Sequence, residues 1–525
     1  MFSCLDTSIV STALVSISVE YQNTQDSPWA VLGYLLTYMS FAVGFSKLSD
    51  IFGRKSVLVV AWLLFTLGSV WCGFAREMSQ LIAGRAVQGI GGSGLYSLAQ
   101  VCLVEQGPSR PELVGALVGI TLSISFVLGP LLGGGISEWN WRGIFWLNIP
   151  FGVIAVMGIY TLWPDERRNK YGLWTKIAKI DFIGNTLLAL ASILLVFALQ
   201  EGGSFVWKWS SPVIIWSLTI SGVCWVLLCI WESYLFYGTA RRIEPIFPIR
   251  LTVARVYCST LLNTLLTGFV YIALVIKIPE RLQIIYGDSA LMAGVHLLPM
   301  LGSCAFGSFL GGALSKRVNL TSQSLIVGNA LQVLGLGLVF GFARNLDLAY
   351  LLGFTSIYGL GVGLSFAACT MIAAIEAGNE DLASAQGAVA QARVFGGALG
   401  LAVCTIIFNE KLHGSLGPDS GSAIIDEKQL EAIHRSLMAV LTLSAAERTE
   451  VMIVYMSAFK EQMLAMTVVA GVALFVAVGT YRKNPSPVVD VMAHHHKEAG
   501  GQQSLSLSSS DTELERTSSV RSLMR

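Results

Sequence analysis

Ser46-Lys47-Leu48-Ser49-Asp50-Ile51-Phe52-Gly53-Arg54-Lys55 places four charges between two long apolar runs, Trp29 to Gly44 and Ser56 to Phe74. A polar segment this short joins antiparallel neighbours. The flanking runs approach the ~20 apolar residues that a helix needs to cross a hydrocarbon layer, so the stretch reads as a water-facing turn between two membrane spans. Lys47, Arg54 and Lys55 put that turn on the cytoplasmic side, where short loops collect Lys and Arg. Asp50 precedes Arg54 by four residues, close enough for a charge-assisted hydrogen bond, and Gly53 gives the backbone freedom to fold the turn. By charge alone, the same stretch would fit any polytopic membrane protein.

Composition agrees with that reading. Of 525 residues, 54% are apolar and 13% charged, against roughly a quarter charged in soluble domains. The chain is therefore read as an all-α integral membrane protein. A net charge of +1 without a basic stripe argues against a nucleic-acid partner. The nine cysteines sit singly in apolar runs, as small core residues rather than metal ligands or a disulfide framework. With no nucleophile-base constellation or nucleotide loop, no catalytic residue, metal or cofactor is expected, and a membrane enzyme or receptor is a remote alternative.

Fourteen candidate spans fall near 1–19, 28–47, 56–75, 79–104, 113–136, 143–163, 182–200, 212–235, 256–277, 290–313, 322–343, 348–372, 384–409 and 462–481. With a cytoplasmic start, every second loop should be basic. Besides the opening turn, Arg167, Arg168, Lys170, Lys176 and Lys179, then Arg241, Arg242, Arg250 and Arg255, Lys316 and Arg317, and Arg482 and Lys483 meet that requirement. One inner loop dissents with Glu376, Glu380 and Asp381. The expected division is a six-helix bundle over 1–163, a linker with two extra spans over 164–255, and a second six-helix bundle over 256–481. An extracellular loop ending in an amphipathic run from Glu450 to Phe459 is expected at 411–461, and a disordered cytoplasmic tail at 482–525. Gly312-Ala313-Leu314-Ser315-Lys316-Arg317 after the tenth span echoes the turn after the second, as internal duplication would produce. Only five residues precede Asp6, short for a first span, so an upstream segment is expected.

Charges inside spans cost about 2.5–3.5 kcal/mol at the centre and mark pathways or relays by default. Asp6 lies in Leu5-Asp6-Thr7-Ser8-Ile9-Val10-Ser11-Thr12-Ala13-Leu14, about 20 Å from the outer end of its span. Arg85 opens Arg85-Ala86-Val87-Gln88-Gly89-Ile90-Gly91-Gly92, about 9 Å inside the outer end of the fourth span, with Gln88 on the same face and glycines for close helix approach. Their depths do not require the two to pair. Asp6 also fits a hydrogen-bonded structural role, and Arg85 a cap on carbonyls or a lipid contact. Arg393 lies about 14 Å into the thirteenth span, near the midplane, after Gln386 and Gln391. Tyr34, Gln88, Asn263, Tyr271 and Tyr358 complete the candidate lining of a substrate cavity, and a packing role is open for the tyrosines and Asn263. In the fifth span, Gly129, Pro130, Gly133 and Gly134 combine a lost backbone donor with a thinned helix, the makings of a hinge.

Taken in order, these stretches resemble the major facilitator superfamily. Leu48, Asp50, Gly53, Arg54 and Lys55 match its G-x-L-a-D-r-x-G-r-k turn, with Ser46 in place of Gly and Ile51 in place of Arg. The Asp6, Arg85 and Gly129 stretches, together with Asn140-Trp141-Arg142-Gly143-Ile144-Phe145-Trp146-Leu147-Asn148-Ile149-Pro150-Phe151-Gly152, are similar to motifs of the fourteen-span drug:proton antiporters. The last of these reads as structural, with Trp141 and Arg142 as interface anchors. Pro279 to Gln283 and Ala293 to Pro299 resemble patterns of fungal members, with Glu280 and Arg281 at positions that are usually apolar.

The resemblance implies two six-helix bundles plus two central helices. It also implies proton-coupled efflux of a small amphipathic compound, such as a drug, toxin or secondary metabolite, by alternating access. Asp6 and Arg85 would couple protons, Lys47, Asp50, Gly53, Arg54 and Lys55 would form a conformational latch, and Gly129 to Gly134 would bend. The expected partners are the substrate, protons and the bilayer, for a monomer in the plasma membrane. Uptake or vacuolar transport of an iron chelate or basic amino acid is the alternative that related fourteen-span groups imply. On this topology, an impermeant thiol reagent labels Arg54→Cys and Arg168→Cys, in a cysteine-free background, from the same face of the membrane. Labelling from opposite faces would refute the span count.

Overall fold

The computed structural model describes residues 29–106, 111–137, 139–163, 178–204, 207–237, 245–247, 249–315, 318–343, 347–377, 381–416 and 443–483, with single positions 2, 3, 5, 6, 9, 10, 13, 17, 20, 21, 26, 243, 429 and 433. Arg167, Arg168, Lys170, Lys176, Arg241, Arg242, Lys316, Arg317, Glu380 and the tail from 484 lie outside the described residues.

The helical positions between 2 and 20 constitute α1. The remaining long helices are α2 (Trp29–Phe52), α3 (Arg54–Phe74), α4 (Met78–Gln106), α5 (Pro111–Ser137), α6 (Gly143–Leu162), α7 (Phe182–Gly203), α8 (Pro212–Tyr237), α9 (Arg255–Ile285), α10 (Ala290–Leu314), α11 (Thr321–Gly341), α12 (Leu348–Glu376), α13 (Leu382–Leu416) and α14 (Ala445–Val478). A short helix, Ile249–Val253, leads into α9. No β-strand occurs among the described residues, and each helix from α2 to α14 coincides with one expected span. Eleven of them are long and apolar enough to cross a bilayer. Helices are what such a chain must form, because lipid offers no partner to an unpaired backbone N–H or carbonyl.

Three of their starts carry side-chain caps that satisfy orphan donors: Asp181 accepts from Gly184 N at 2.8 Å, Ser289 from Met292 N at 3.2 Å and Asp347 from Ala349 N at 3.0 Å. Glu376 and Asp381, the acidic exceptions among the inner loops, pair with Arg482 at 2.9 Å and Arg250 at 3.2 Å, so basic neighbours offset them locally.

One boundary differs from expectation. Residues 445–461 are helical and continuous with the last span rather than part of a loop, and α13 likewise runs on to Leu416. Ser444 and Glu447 form a capping box that starts α14, and Val451, Val454, Tyr455, Ala458, Phe459, Met463 and Met466 form one buried stripe along it.

In the N-terminal half α4 is wedged between α2 and α3, while α3 also packs on α6. In the C-terminal half α12 lies between α10 and α11, α9 packs on α13, and α14 covers α9, α11 and α13. The halves meet along two seams: α5 against α10 and α12, and α13 against α2 and α4. The extra pair α7–α8 sits at the second seam. There α7 touches both α2 and α13, with Trp29 5.5 Å from Phe197 and Asn409 Nδ2 donating to Gly203 O at 2.8 Å. Trp71, Phe74, Ile154, Met157, Trp216, Ile230 and Phe475 project from outer helices, as lipid-facing residues do.

Close helix approach rests on glycine. Gly91 lies against the Phe65 backbone, Gly396 and Gly400 against the Leu265 and Phe269 carbonyls, and Gly359 and Gly363 against the Met300 and Cys304 carbonyls. A methyl group on Gly363 would overlap the Cys304 carbonyl oxygen, whereas one on Gly337 would meet open space. Gly363→Ala is therefore expected to lower the melting temperature of the purified protein by several degrees. Gly337→Ala should leave the melting temperature unchanged or raise it slightly, since Ala is favoured over Gly in a helix by up to ~1 kcal/mol. Differential scanning fluorimetry checks the pair.

Candidate functional site

Five helices of the N-terminal half converge on a buried ion pair. Arg85 on α4 donates from Nη1 to the Asp6 carboxylate on α1, and both side chains are fully removed from solvent. Arg85 Nε donates to Ala30 O at 2.8 Å and Nη1 to Gln88 Oε1 at 2.7 Å, and the guanidinium lies 4.2 Å over the Tyr34 ring. Asp6 accepts from Gln88 Nε2 and Asn148 Nδ2, each at 3.0 Å. The same two amides donate to Ser69 Oγ at 2.9 and 3.3 Å, and Ser69 donates to Phe65 O at 2.9 Å. Breaking a buried pair by removing one partner costs about 3–5 kcal/mol, which is why each charge here has the other and further hydrogen bonds besides.

Sequence spacing alone left Asp6 and Arg85 at different depths, and the structure brings them together. Rise per residue measures length along a helix, not how neighbouring helices are staggered, and the long arginine side chain spans the remaining distance. The glycines of the same motif serve this approach: Gly89 faces the Tyr34 backbone and Gly92 the Tyr34 hydroxyl, which donates to Ser3 O at 2.7 Å.

At the end carrying the basic loops, Gly53 adopts φ 94° and turns α2 into α3. Arg54 forks onto Glu105 of α4 at 3.0 and 2.6 Å, and reaches Asp50 at 2.6 Å and Ser49 Oγ at 2.5 Å. Glu105 was not singled out in the sequence. Lys55 donates to Tyr160 O at 3.3 Å and Trp163 O at 3.2 Å, capping the end of α6. Lys47 is half-buried. Contact between the halves at this level comes from neighbouring residues: Ser46 faces Gly387, and Val43 N donates to Gln391 Oε1 at 3.2 Å.

The other nominated residues are dispersed. Arg393 donates from Nη1 to Tyr96 OH at 2.9 Å across the seam and lies 4.1 Å over Phe366. Gln386 donates to Thr370 O at 3.0 Å, and Asn263 to Ala473 O at 2.8 Å, within the C-terminal half. Tyr271 packs edge-on against Phe366 at 5.1 Å, and Tyr358 is fully buried. Gly129 and Gly133 are buried in α5, which is unbroken at Pro130; the proline side chain lies outside the described residues.

The model of the Major Facilitator Superfamily matches residues 1–401. The chain belongs to the major facilitator superfamily. This transporter is 35% identical over 480 residues to the MFS-type transporter FPY5 of Fusarium mangiferae, an alignment covering 89% of this chain and 79% of the relative. It is 30% identical over 431 residues to Multidrug resistance protein 3 of Bacillus subtilis, with 81% of each chain covered. Its fold is shared with the proton:xylose symporter XylE bound to 6-bromo-6-deoxy-D-glucose, at TM-score 0.53 and 14% identity over 84% of this chain and 92% of that one. The transporter is a secondary active carrier of the membrane, not an enzyme.

Two residues of its ion-pair network escaped the sequence reading. Asn148 stood inside a motif taken for an interface anchor, although a buried amide in an apolar span was the available signal. Ser69 is a lone hydroxyl in an apolar run and carried none. The anchors themselves have a partner. Trp141 Nε1 and Arg142 Nη1 each donate to the Glu20 carboxylate at 2.5 Å, and Arg142 Nη2 donates to Ala75 O at 3.0 Å, clamping the end of α1 to the α3–α4 turn.

Burial is the largest single influence on the Glu20 carboxyl and lifts its pKa, but the hydrogen bonds from Arg142 and Trp141 and the Arg142 charge together outweigh it and hold the pKa below the ordinary value. A carboxylate lowered on folding adds stability above its unfolded pKa and loses it as the pH falls through the folded one. The melting-temperature difference between wild type and Glu20→Gln should therefore be present at pH 7, worth no more than about 1 kcal/mol for so exposed a pair. It should shrink away as the pH drops below about 4.3. A difference independent of pH would show that the clamp is not ionic.

Proposed function

We propose that this transporter exports small amphipathic compounds from the cytoplasm in exchange for protons, and that the Asp6–Arg85 network is where the proton acts. The observation that carries this reading is a carboxylate and a guanidinium, fully buried, joined by Gln88 and Asn148 in a chain of hydrogen bonds that spans α1, α4 and α6. Protonating Asp6 removes the counter-charge of Arg85 and leaves the guanidinium with Ala30 O, Gln88 and the Tyr34 ring. A loss of that size inside a low-dielectric bundle is enough to bias one helix packing over another.

The moving units in this reading are the bundles over 1–163 and 256–481, with the segment 164–255 carrying the two extra helices. The turn at Lys47, Asp50, Gly53, Arg54 and Lys55 steadies the cytoplasmic end, and Gly129, Pro130, Gly133 and Gly134 absorb the bend in α5. The name Multidrug resistance protein 3 carried by a relative supports efflux, and a plasma membrane is the setting this reading assigns.

The test compares wild type, Asp6→Asn and Arg85→Ala, purified and reconstituted at equal density, for solute movement driven by an imposed pH gradient. Asp6→Asn keeps the shape but cannot ionise, and it retains only one of the two acceptor oxygens. It is expected to lose the gradient-dependent component by about tenfold or more, the scale of one charge-assisted contact, while solute exchange without a gradient persists. Gradient dependence unchanged in both variants would remove Asp6 and Arg85 from coupling.

A further inference from the structure

Arg393 is a buried cation with no carboxylate partner among the described residues. The residue is 2% exposed, at the seam where α13 meets α4. Nη1 is used by Tyr96 OH, while Nε and Nη2 have no partner among the described residues. Sequence extends the point: α13 has no carboxylate between Asp381 and Glu410, α4 none between Glu77 and Glu105, α9 none before Glu280, and α12 none between Asp347 and Glu376. Asp6 is engaged by Arg85, Gln88 and Asn148.

The two free donors share one edge of the guanidinium. That edge, Nε–H beside Nη2–H, is the fork that holds a carboxylate through two parallel hydrogen bonds. A second unsatisfied group stands on the same face of α4. Gln100 follows Tyr96 by one helical turn, is 4% exposed, and has neither amide atom hydrogen-bonded among the described residues. Arg281 also has two free N–H groups, but it follows Glu280, which pairs with Lys277, and its recess is lined by Asp347 as well.

The geometry points to an anion site: Arg393, with Tyr96 and Gln100 beside it, receives a carboxylate of the cargo, while the Phe366 ring backs the guanidinium. This rests on the reading that the transporter moves small amphipathic compounds, and narrows them to organic acids. Because the site joins α4 to α13, an acid seated there touches both halves at once.

The test is a thermal-shift titration of the purified full chain with three matched probes: naphthalene-2-carboxylate, naphthalene-2-carboxamide and 2-naphthylmethylamine. The carboxylate is expected to raise the melting temperature at concentrations at least about tenfold below those needed for the other two, the scale of one charge-assisted bond. Arg393→Gln abolishes that preference and Arg393→Lys keeps part of it. Without probe, Arg393→Met melts no lower than wild type, since an unpaired buried charge is removed. The assignment is overturned by no response to the acid, by equal responses to the three probes, by a preference intact in Arg393→Gln, or by a markedly lower melting temperature of Arg393→Met. Gradient-driven flux of amide or amine without acid preference would remove the anion site and leave the efflux reading in place. Arg393-dependent acid binding without gradient-driven flux would do the reverse.

Discussion

A full charge inside a bundle of apolar helices is costly unless another group neutralises it, and in the N-terminal half that constraint orders the packing. Arg85 is met by Asp6, two amides, a carbonyl and a ring, and these partners pull α1, α2, α4 and α6 onto one point. Arg54 is met by Asp50 and Glu105 and ties α2, α3 and α4 at one end. Arg142 and Glu20 do the same for α1 and the α3–α4 turn at the other end. The N-terminal half is thus pinned by ionic contacts at its middle and at both ends.

Between those points, attraction is supplied by shape. Lipid is as apolar as leucine, so burying leucine adds little inside a membrane, and helices associate where small residues let backbones touch. Gly89 and Gly91 bring α4 onto α2 and α3, and Gly359 and Gly363 bring α12 onto α10. Ser46, where related sequences carry glycine, is matched across the seam by Gly387, so the close approach survives the exchange. Charge and shape act on the same helix: α4 carries Arg85 and Gln88 as well as the glycines that seat them.

What could be read from the chain beforehand follows from which signals are local. Spans α2 to α14 were legible because twenty apolar residues admit few other fates in a membrane, and the turn at Gly53 because charges interrupt that pattern once. Asp6 and Arg85 stood out individually as charges in apolar runs, but their pairing depends on helix stagger and side-chain reach, which sequence does not record. Ser69 and Glu105 were invisible for a related reason: a hydroxyl or a loop carboxylate is ordinary until its neighbour is known. The early start of α14 shows in the sequence only as an amphipathic run from Glu450 to Phe459, because Glu447, Arg448, Glu450, Lys460 and Glu461 decorate a helix whose opposite side is a buried stripe. Asn263 and Gln386, nominated for polarity alone, face backbone carbonyls inside the C-terminal half.

The extra hairpin gives the molecule a front and a back. By lying across α2 and α13, α7 and α8 place a protein wall between the bilayer and one of the two joints, while the α5–α10 joint has no such covering helix among the described residues. A hydrophobic molecule dissolved in the surrounding lipid therefore meets an asymmetric object, screened along one flank and bare along the other.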